Sequence, residues 1–282
     1  MFRSGSKRYL NVKGWVVVPN IVTQSDCRKV RDLPFCYICG KPFNGADETD
    51  YDHVPPQSIF ATTDRNFPIK LKTHKAECHA PLNLDDEIIG QLIALLHGKT
   101  PSKSNDRLNI VIAKNQKTGS KIGLFRERNI EFLIRRWVQG FHAALYESYL
   151  PETVRWAIQG PFPSASLTEQ CLIPNQIKDQ HFEFVTCIKR NRLVGNVDRI
   201  VANNGKLRYE CVWDKLNDGT ACCVFALDLY GWADLGAVNK FPRRGCAGLY
   251  SHLNQAVPED ATRATNLIFE IEQNERADPF VV

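Results

Sequence analysis

The sequence predicts an α+β protein, with its clearest helix in the first half and mainly antiparallel strands in the second. Two observations lead to this fold class. Across residues 127–149 apolar side chains recur every three or four positions, which is the period of an amphipathic helix. After Pro161 short β-rich stretches alternate with turn-forming Asn, Asp and Gly residues. The short connections between those stretches favour an antiparallel meander.

The individual elements follow in chain order. Residues 33–83 read as loops and short strands. Asn83 suits the N-cap of a helix that runs to Gly98, because carboxylates at residues 85–87 complement the positive end of its dipole. The helix of residues 127–149 ends at Leu150, which precedes a proline. Strands are predicted at residues 182–188, 193–201, 207–213 and 222–230, with turns at residues 189–191, 203–205 and 217–219.

The composition is that of an ordinary globular protein. Of 282 residues, 43% are hydrophobic and 24% are charged, which excludes disorder, collagen and coiled coil as descriptions of the whole chain. We find no apolar run of about 18 residues, so no membrane span is expected. The N-terminal apolar run, Trp15 to Val18, is too short for the core of a signal peptide. These observations predict a cytoplasmic protein.

The charge is distributed unevenly along the chain. The whole chain has a net charge of +5. Residues 1–160 hold 23 Lys and Arg against 16 Asp and Glu, a net charge of +7, and residues 161–282 hold 13 against 15, a net of −2. We therefore expect an anionic partner such as nucleic acid to bind the first part. The alternative is a basic surface that serves only solubility.

The ten cysteines suggest a metal site. In a reducing compartment they are not expected to form a disulfide framework. Cys36 and Cys39 are three positions apart and precede a glycine, which forms half of a zinc knuckle. His74 and Cys78 offer a second pair and would complete a Cys3His site. Two alternatives stay open, since His79 or water could supply the fourth ligand, and the Cys pair could be a redox motif.

A further motif lies between the two halves of this zinc site. The sequence Asp52-His53-Val54-Pro55-Pro56 follows the first cysteine pair, and His79 comes directly after Cys78, before an N-L-D-D-E segment. Over about residues 33–98 this arrangement resembles the HNH endonuclease family, specifically its ββα-metal fold with a zinc knuckle.

The resemblance and the sequence pattern of the rest of the chain together predict a domain organisation, two metals and a substrate. Residues 1–98 would form the nuclease module, residues 99–160 a helical connector, and residues 161–282 a β-rich domain of unassigned role. Zn²⁺ would be structural, and Mg²⁺ or Mn²⁺ would be catalytic. DNA would be the substrate, with RNA as the alternative.

The resemblance also assigns roles to three residues. His53 would be the general base that activates water, while Asp52 and His79 would hold the catalytic metal. The chain departs from the family pattern in lacking a second C-x-x-C pair and in having no clear match for the middle Asn of the signature. Read one at a time, Asp52 could be a turn former and His53 a structural histidine.

Four basic residues near the motif are candidates for phosphate contacts: Arg65, Lys70, Lys72 and Lys75. The alternative is that they serve only solubility.

The rest of the chain carries no assignable motif. His142 lies on the apolar stripe of the long helix and is expected in the core. Cys187, Cys211 and Cys223 fall in predicted strands, where cysteine acts as a small apolar residue. A protein partner or a homodimer through this half is expected. Two rivals to the nuclease hypothesis are a non-catalytic zinc module that binds nucleic acid or protein, and a cysteine-based redox protein.

Overall fold

A computed structural model describes residues 20–82, 90, 110–114, 121–125, 130–151, 153–159, 175–215, 220–229 and 245–252. The chain is a mixed α+β protein, as predicted. Its helices are α1 (Gln24–Lys29), α2 (Ile130–Tyr146) and α3 (Asn175–Leu193). Its strands are β1 (Asn20–Ile21), β2 (Thr49–His53), β3 (Lys70–His74), β4 (Ile110–Lys114), β5 (Lys121–Phe125), β6 (Arg155–Gln159), β7 (Asp198–Ala202), β8 (Leu207–Lys215), β9 (Ala221–Leu229) and β10 (Gly245–His252).

Six strands form one sheet in the order β1-β7-β8-β9-β10-β6. β1 runs parallel to β7, and all other neighbours are antiparallel. The strands predicted at residues 207–213 and 222–230 are confirmed as β8 and β9, and they pair as the meander requires. The turn predicted at residues 203–205 is also confirmed, and there Asn204 takes a left-handed conformation with φ of 55°.

One predicted strand is wrong. Residues 182–188 lie inside helix α3, and so do the turn predicted at residues 189–191 and Cys187. The strand predicted from residue 193 begins only at Asp198. Phe184 and Ile188 are four residues apart and both are buried, which is the spacing of a helical face. The β-rich composition of this segment hid that spacing.

Both faces of the sheet are covered. On one face α2 packs through residues such as Trp137 and Phe141 against Tyr209 and Phe225 of β8 and β9. On the other face α3 packs through residues that include Ile188. Since successive residues of a strand point to opposite faces, burial on both sides explains the continuous buried run of β9.

The hydrophobic core between α2 and the sheet also includes residues of the N-terminal elements. It includes Cys27 of α1, Val54 after β2, Leu71 of β3 and much of α2. Helix α2 passes directly under this region, because a Cβ added at Gly140 would lie 2.7 Å from Val54 Cγ1. The β2–β3 hairpin is therefore held against α2 by close packing.

Several predictions concern segments at or beyond the limits of the described residues. The helix predicted at residues 127–149 is confirmed over Ile130–Tyr146, as α2, but it ends at Tyr146 rather than at residue 149, because Glu147 takes a left-handed conformation with φ of 49°. Strands β4, β5 and β6 lie in the range expected to be a helical connector. The helix from Asn83 to Gly98, apart from a helical Gly90, and the turn at residues 217–219 lie outside the described residues.

Within the described ranges, no helix is long and apolar enough to cross a membrane.

Candidate metal centre and active site

The first part of the metal centre is a tight turn between Cys36 and Lys41. The Gly40 amide donates to the Cys36 carbonyl at 2.8 Å, and the Cys36 amide donates to the Lys41 carbonyl at 2.9 Å. Gly40 has φ of +74°, and a Cβ there would lie 2.6 Å from the ring of Tyr149. Glycine is therefore needed both for the turn and for the close approach of Tyr149.

The second part comes from the end of the hairpin. His74 is the last residue of β3 and faces Thr49 of β2 across the ladder. A short π-helical turn, Lys75–His79, follows and carries Cys78. The Lys75 amide donates to the Glu48 carbonyl at 2.8 Å, which ties this turn back to the segment that enters β2.

The two parts meet as a Cys3His cluster. The candidate ligand atoms of Cys36, Cys39, His74 and Cys78 all lie within 4.8 Å of one another, close enough to hold one metal ion. His74 Nδ1 is 3.5 Å from Cys39 Sγ and 4.0 Å from Cys78 Sγ. His74 Nε2 faces the other way and lies 3.4 Å from Asp47 Oδ2. The four residues predicted as ligands are thus brought together, and Nδ1 is the nitrogen aimed at the sulfurs.

The environment of the thiols keeps them protonated unless a cation is bound nearby. Burial, with a contribution from neighbouring Cys39, raises the pKa of Cys36 above its ordinary value. Burial also raises the pKa of Cys78, and the nearby Cys36 adds to that rise. Thiols in such a site hold their protons unless a metal ion supplies positive charge, since a coordinated thiol is deprotonated.

The candidate catalytic residues lie beside this cluster, at the end of β2. Asp50 and Asp52 are two positions apart on β2. His79 lies between their carboxylates: its Nδ1 is 3.2 Å from Asp50 Oδ2, and its Nε2 is 4.0 Å from Asp52 Oδ1. Cys78 and His79 are adjacent in sequence, yet one belongs to the Cys3His cluster and the other to this group.

Asp52 is almost completely buried, with 2% of its side chain exposed. Its Oδ2 accepts a hydrogen bond from the Tyr37 hydroxyl. Burial and the negative charge of Asp52 hold the pKa of Tyr37 well above its ordinary value, while Arg136 of α2 acts in the opposite direction. Tyr37 therefore stays protonated. Its hydroxyl holds the Asp52 carboxylate in the orientation in which the Asp52 Oδ1 faces His79.

His53 ends β2 opposite Lys70 of β3. Its Nε2 is buried and has no hydrogen-bond partner in the described part of the chain. Burial lowers the pKa of His53 to about 4, and the positive charges of Lys70, His79 and Arg65 add to this effect. His53 is thus neutral near pH 7.

The four basic residues separate into two groups. Lys70 and Arg65 are close enough to His53 to affect its pKa, and the Arg65 Nε donates to the Phe60 carbonyl at 3.0 Å. Lys72 lies instead over the ring of Phe43, 4.8 Å from its centre. Lys75 lies 3.5 Å from the carboxylate of Glu48. Lys70 and Arg65 therefore flank the candidate base, while Lys72 and Lys75 have other contacts.

Sequence reasoning missed the residues that support the site. Asp47 and Asp50 contact the two histidines, and Tyr37 contacts Asp52. One signal was available, because Asp50 precedes Asp52 by two positions and strand alternation puts both on one face. Nothing in the sequence pattern pointed to Asp47 or Tyr37.

Comparison with known proteins adds no assignment: no family model, no curated protein and no solved structure matches this chain.

Proposed function

We propose that this protein is a metal-dependent endonuclease of the HNH type, which hydrolyses phosphodiester bonds in DNA. The observation that carries the proposal is the neutral His53, with a buried ring nitrogen that lacks a partner among the described residues, beside Asp52 and His79. The resemblance of residues 33–98 to the HNH pattern is the second support. In that family the hairpin, the knuckle and the helix after it form the ββα-metal fold.

Zinc bound at the Cys3His cluster would have a structural role. Three thiolates and one imidazole are a common donor set of closed structural zinc sites, in which the ligand atoms are about 3.5–4 Å apart. The 4.8 Å limit in this cluster requires only a small contraction to reach that geometry. Zinc would join the Cys36–Lys41 turn to the end of the hairpin.

The catalytic cation would be held by Asp52 and His79. Their facing atoms are 4.0 Å apart, so the two side chains could act as ligands of one divalent ion. With only two protein ligands, most coordination positions remain for phosphate and water, as suits Mg²⁺ or Mn²⁺. When bound, such an ion supplies charge neutralisation at the phosphate and at the leaving oxygen.

The chain's own residues would carry the remaining steps. His53 would accept a proton from the attacking water. Lys70 and Arg65 would hold the phosphate near His53 and oppose its negative charge. Asp50 would accept the Nδ1 proton of His79 and so keep Nε2 free of a proton and directed toward Asp52.

A nicking assay tests this proposal. Supercoiled plasmid, single-stranded DNA and RNA would be incubated with zinc-loaded protein and with Mg²⁺, Mn²⁺ or no added divalent ion. We expect divalent-dependent cleavage that His53→Ala reduces by about 10²–10⁴-fold, because a positioned general base contributes a factor of that size. Zinc content and thermal midpoint, measured on the same samples, would show that the variant is folded. Cleavage by His53→Ala at the wild-type rate would contradict the assigned base.

A second candidate function is a non-catalytic zinc module that binds nucleic acid or a protein partner. The observation in its favour is the burial of Asp52 and its bond to Tyr37, which also suit a purely structural carboxylate. One tightly held zinc and no cleavage with any divalent ion would support this candidate over the nuclease.

A further inference from the structure

We propose that the loop of residues 62–67 binds an unstacked nucleobase through the ring of Phe67, so that the substrate class is single-stranded nucleic acid. This inference rests on the proposed function, because it assigns the substrate of that same site. Phe67 lies outside the HNH pattern. The turn between β7 and β8 in the C-terminal sheet would hold the loop that carries it.

The ring of Phe67 is presented to solvent in an unusual way. Phe67 is 43% exposed, although it is a large apolar residue. Its backbone has φ of 55°, a left-handed conformation that a bulky side chain rarely adopts. Such conformations persist only where the surroundings fix them, and they concentrate at sites that bind ligands.

The surroundings do fix this loop, from two distant parts of the chain. Asn204, in the turn between β7 and β8, donates its Nδ2 to the Thr63 carbonyl at 2.8 Å and accepts from Asn66 Nδ2 at 3.3 Å. The Cys27 thiol of α1 donates to the Phe67 carbonyl at 3.6 Å. The carbonyl of Phe67 is thus held in place while its ring is left on the surface.

The position of the ring relative to His53 suits a base adjacent to the cleaved bond. Phe67 is three residues before Lys70, so their Cα atoms are at most about 11 Å apart, and Lys70 pairs with His53. Arg65 is two residues before Phe67, and its Nε donates to the Phe60 carbonyl at 3.0 Å. A strand with a phosphate at Arg65 and Lys70 therefore has a neighbouring base within reach of the ring.

The chemistry of these groups matches one mode of recognition. Cationic side chains follow the phosphates, and an aromatic face stacks on a base without regard to its identity. In a duplex the base faces are covered by their neighbours, so the ring of Phe67 requires a base that has left the stack. A single-stranded segment supplies that base directly.

Stacking can be measured apart from cleavage with a single-stranded oligonucleotide that carries 2-aminopurine. Zinc-loaded protein without added Mg²⁺ or Mn²⁺ would be titrated while fluorescence anisotropy reports affinity and quenching reports stacking. We expect Phe67→Ala to weaken binding about five-fold or more and to abolish the quenching. Phe67→Trp should restore both signals, whereas Phe67→Leu, which is apolar but has no aromatic face, should not.

The matched control is Phe182→Ala in α3, since Phe182 is also 43% exposed. This control should bind and quench as the wild type does. Asn204→Ala should reduce the quenching by loosening the loop. Zinc content and thermal midpoint would be compared for all variants, and the Phe67→Trp variant tests the proposal even if Phe67→Ala fails to fold.

The outcomes that overturn the inference are distinct from those that overturn the nuclease proposal. Unchanged quenching in Phe67→Ala, full signals in Phe67→Leu, or an equal loss in Phe182→Ala would each refute the stacking site, whatever the cleavage results. If the Phe67 variants behave as expected but no divalent ion supports cleavage, the stacking site stands and the nuclease proposal fails.

Discussion

Two histidines, five residues apart, lie in two sites of opposite character. His74 faces three thiols with one ring nitrogen and Asp47 with the other, and its site has four protein donors. His79 faces Asp52 with one nitrogen and Asp50 with the other, and in the proposed catalytic site only Asp52 and His79 would bind the metal. Closed metal sites are structural and open ones are reactive. The turn Lys75–His79 thus carries both Cys78 of the Cys3His cluster and His79, the proposed ligand of the catalytic cation.

The largest effect is expected from removal of the closed site. Cys36→Ser should abolish stoichiometric zinc binding and unfold the hairpin region, because structural zinc stabilises small zinc modules by about 10–16 kcal/mol. Metal analysis and thermal denaturation measure this. Cys187→Ala is the control, since Cys187 is a buried cysteine in α3 outside the cluster, and it should keep its zinc. Zinc retained by Cys36→Ser would exclude Cys36 as a ligand.

The next largest effect is expected from substitutions that distinguish the His79–Asp50 pair from the His74–Asp47 pair. Asp50→Asn should weaken the binding of the catalytic cation about 10–100-fold, because the partner carboxylate sets the tautomer of a metal-bound His. The measurement is the Mn²⁺ concentration that gives half-maximal cleavage. Asp47→Asn should leave that concentration unchanged and instead hasten zinc loss to a chelator. A reversal of these effects would show that the two sites are assigned the wrong way round.

A smaller effect is expected from the support beneath the open site. Tyr37→Phe removes the hydroxyl that donates a hydrogen bond to the buried Asp52 carboxylate. We expect the free energy of unfolding to fall by about 1–3 kcal/mol, as measured by urea denaturation. Zinc should be retained, since Tyr37 is not a ligand. No change in stability would indicate that another donor or water replaces the hydroxyl.

The smallest effect concerns the basic residues near the closed site. Lys75→Ala removes an exposed ion pair with Glu48, and such pairs contribute less than about 1 kcal/mol. We expect nearly unchanged stability and cleavage. Lys70→Ala, next to His53, should instead slow cleavage. Equal losses in both variants would mean that the phosphate path runs past the closed site as well.

The four residues of the Cys3His cluster could be predicted from sequence because their signal is local. Cys36 and Cys39 share one turn, and His74 and Cys78 flank another, so only the meeting of the two turns had to be assumed. The partners of the histidines could not be predicted in this way. Which carboxylate reaches His74 or His79 depends on the register of β2 against β3 and on the path of the turn after it.

Some elements of the fold could likewise be predicted from local sequence patterns, and others could not. The long helix α2 and the strands β8 and β9 follow from periodicity and turn residues, and both are confirmed. Helix α3 was missed because its buried residues, such as Phe184 and Val185, favour strands by composition. The parallel pairing of β1 with β7 joins residues about 180 positions apart, and no local pattern encodes such a contact.

The order of the large sheet has a consequence for any attempt to divide the protein. Its two outermost strands, β1 and β6, both come from residues before 160, while the four inner strands come from residues after 197. A fragment that starts at residue 161 would leave β7 and β10 with open hydrogen-bonding edges, and such edges pair with other chains. We expect that fragment to aggregate when expressed alone, because β7 and β10 lose the strands that pair with them in the full chain.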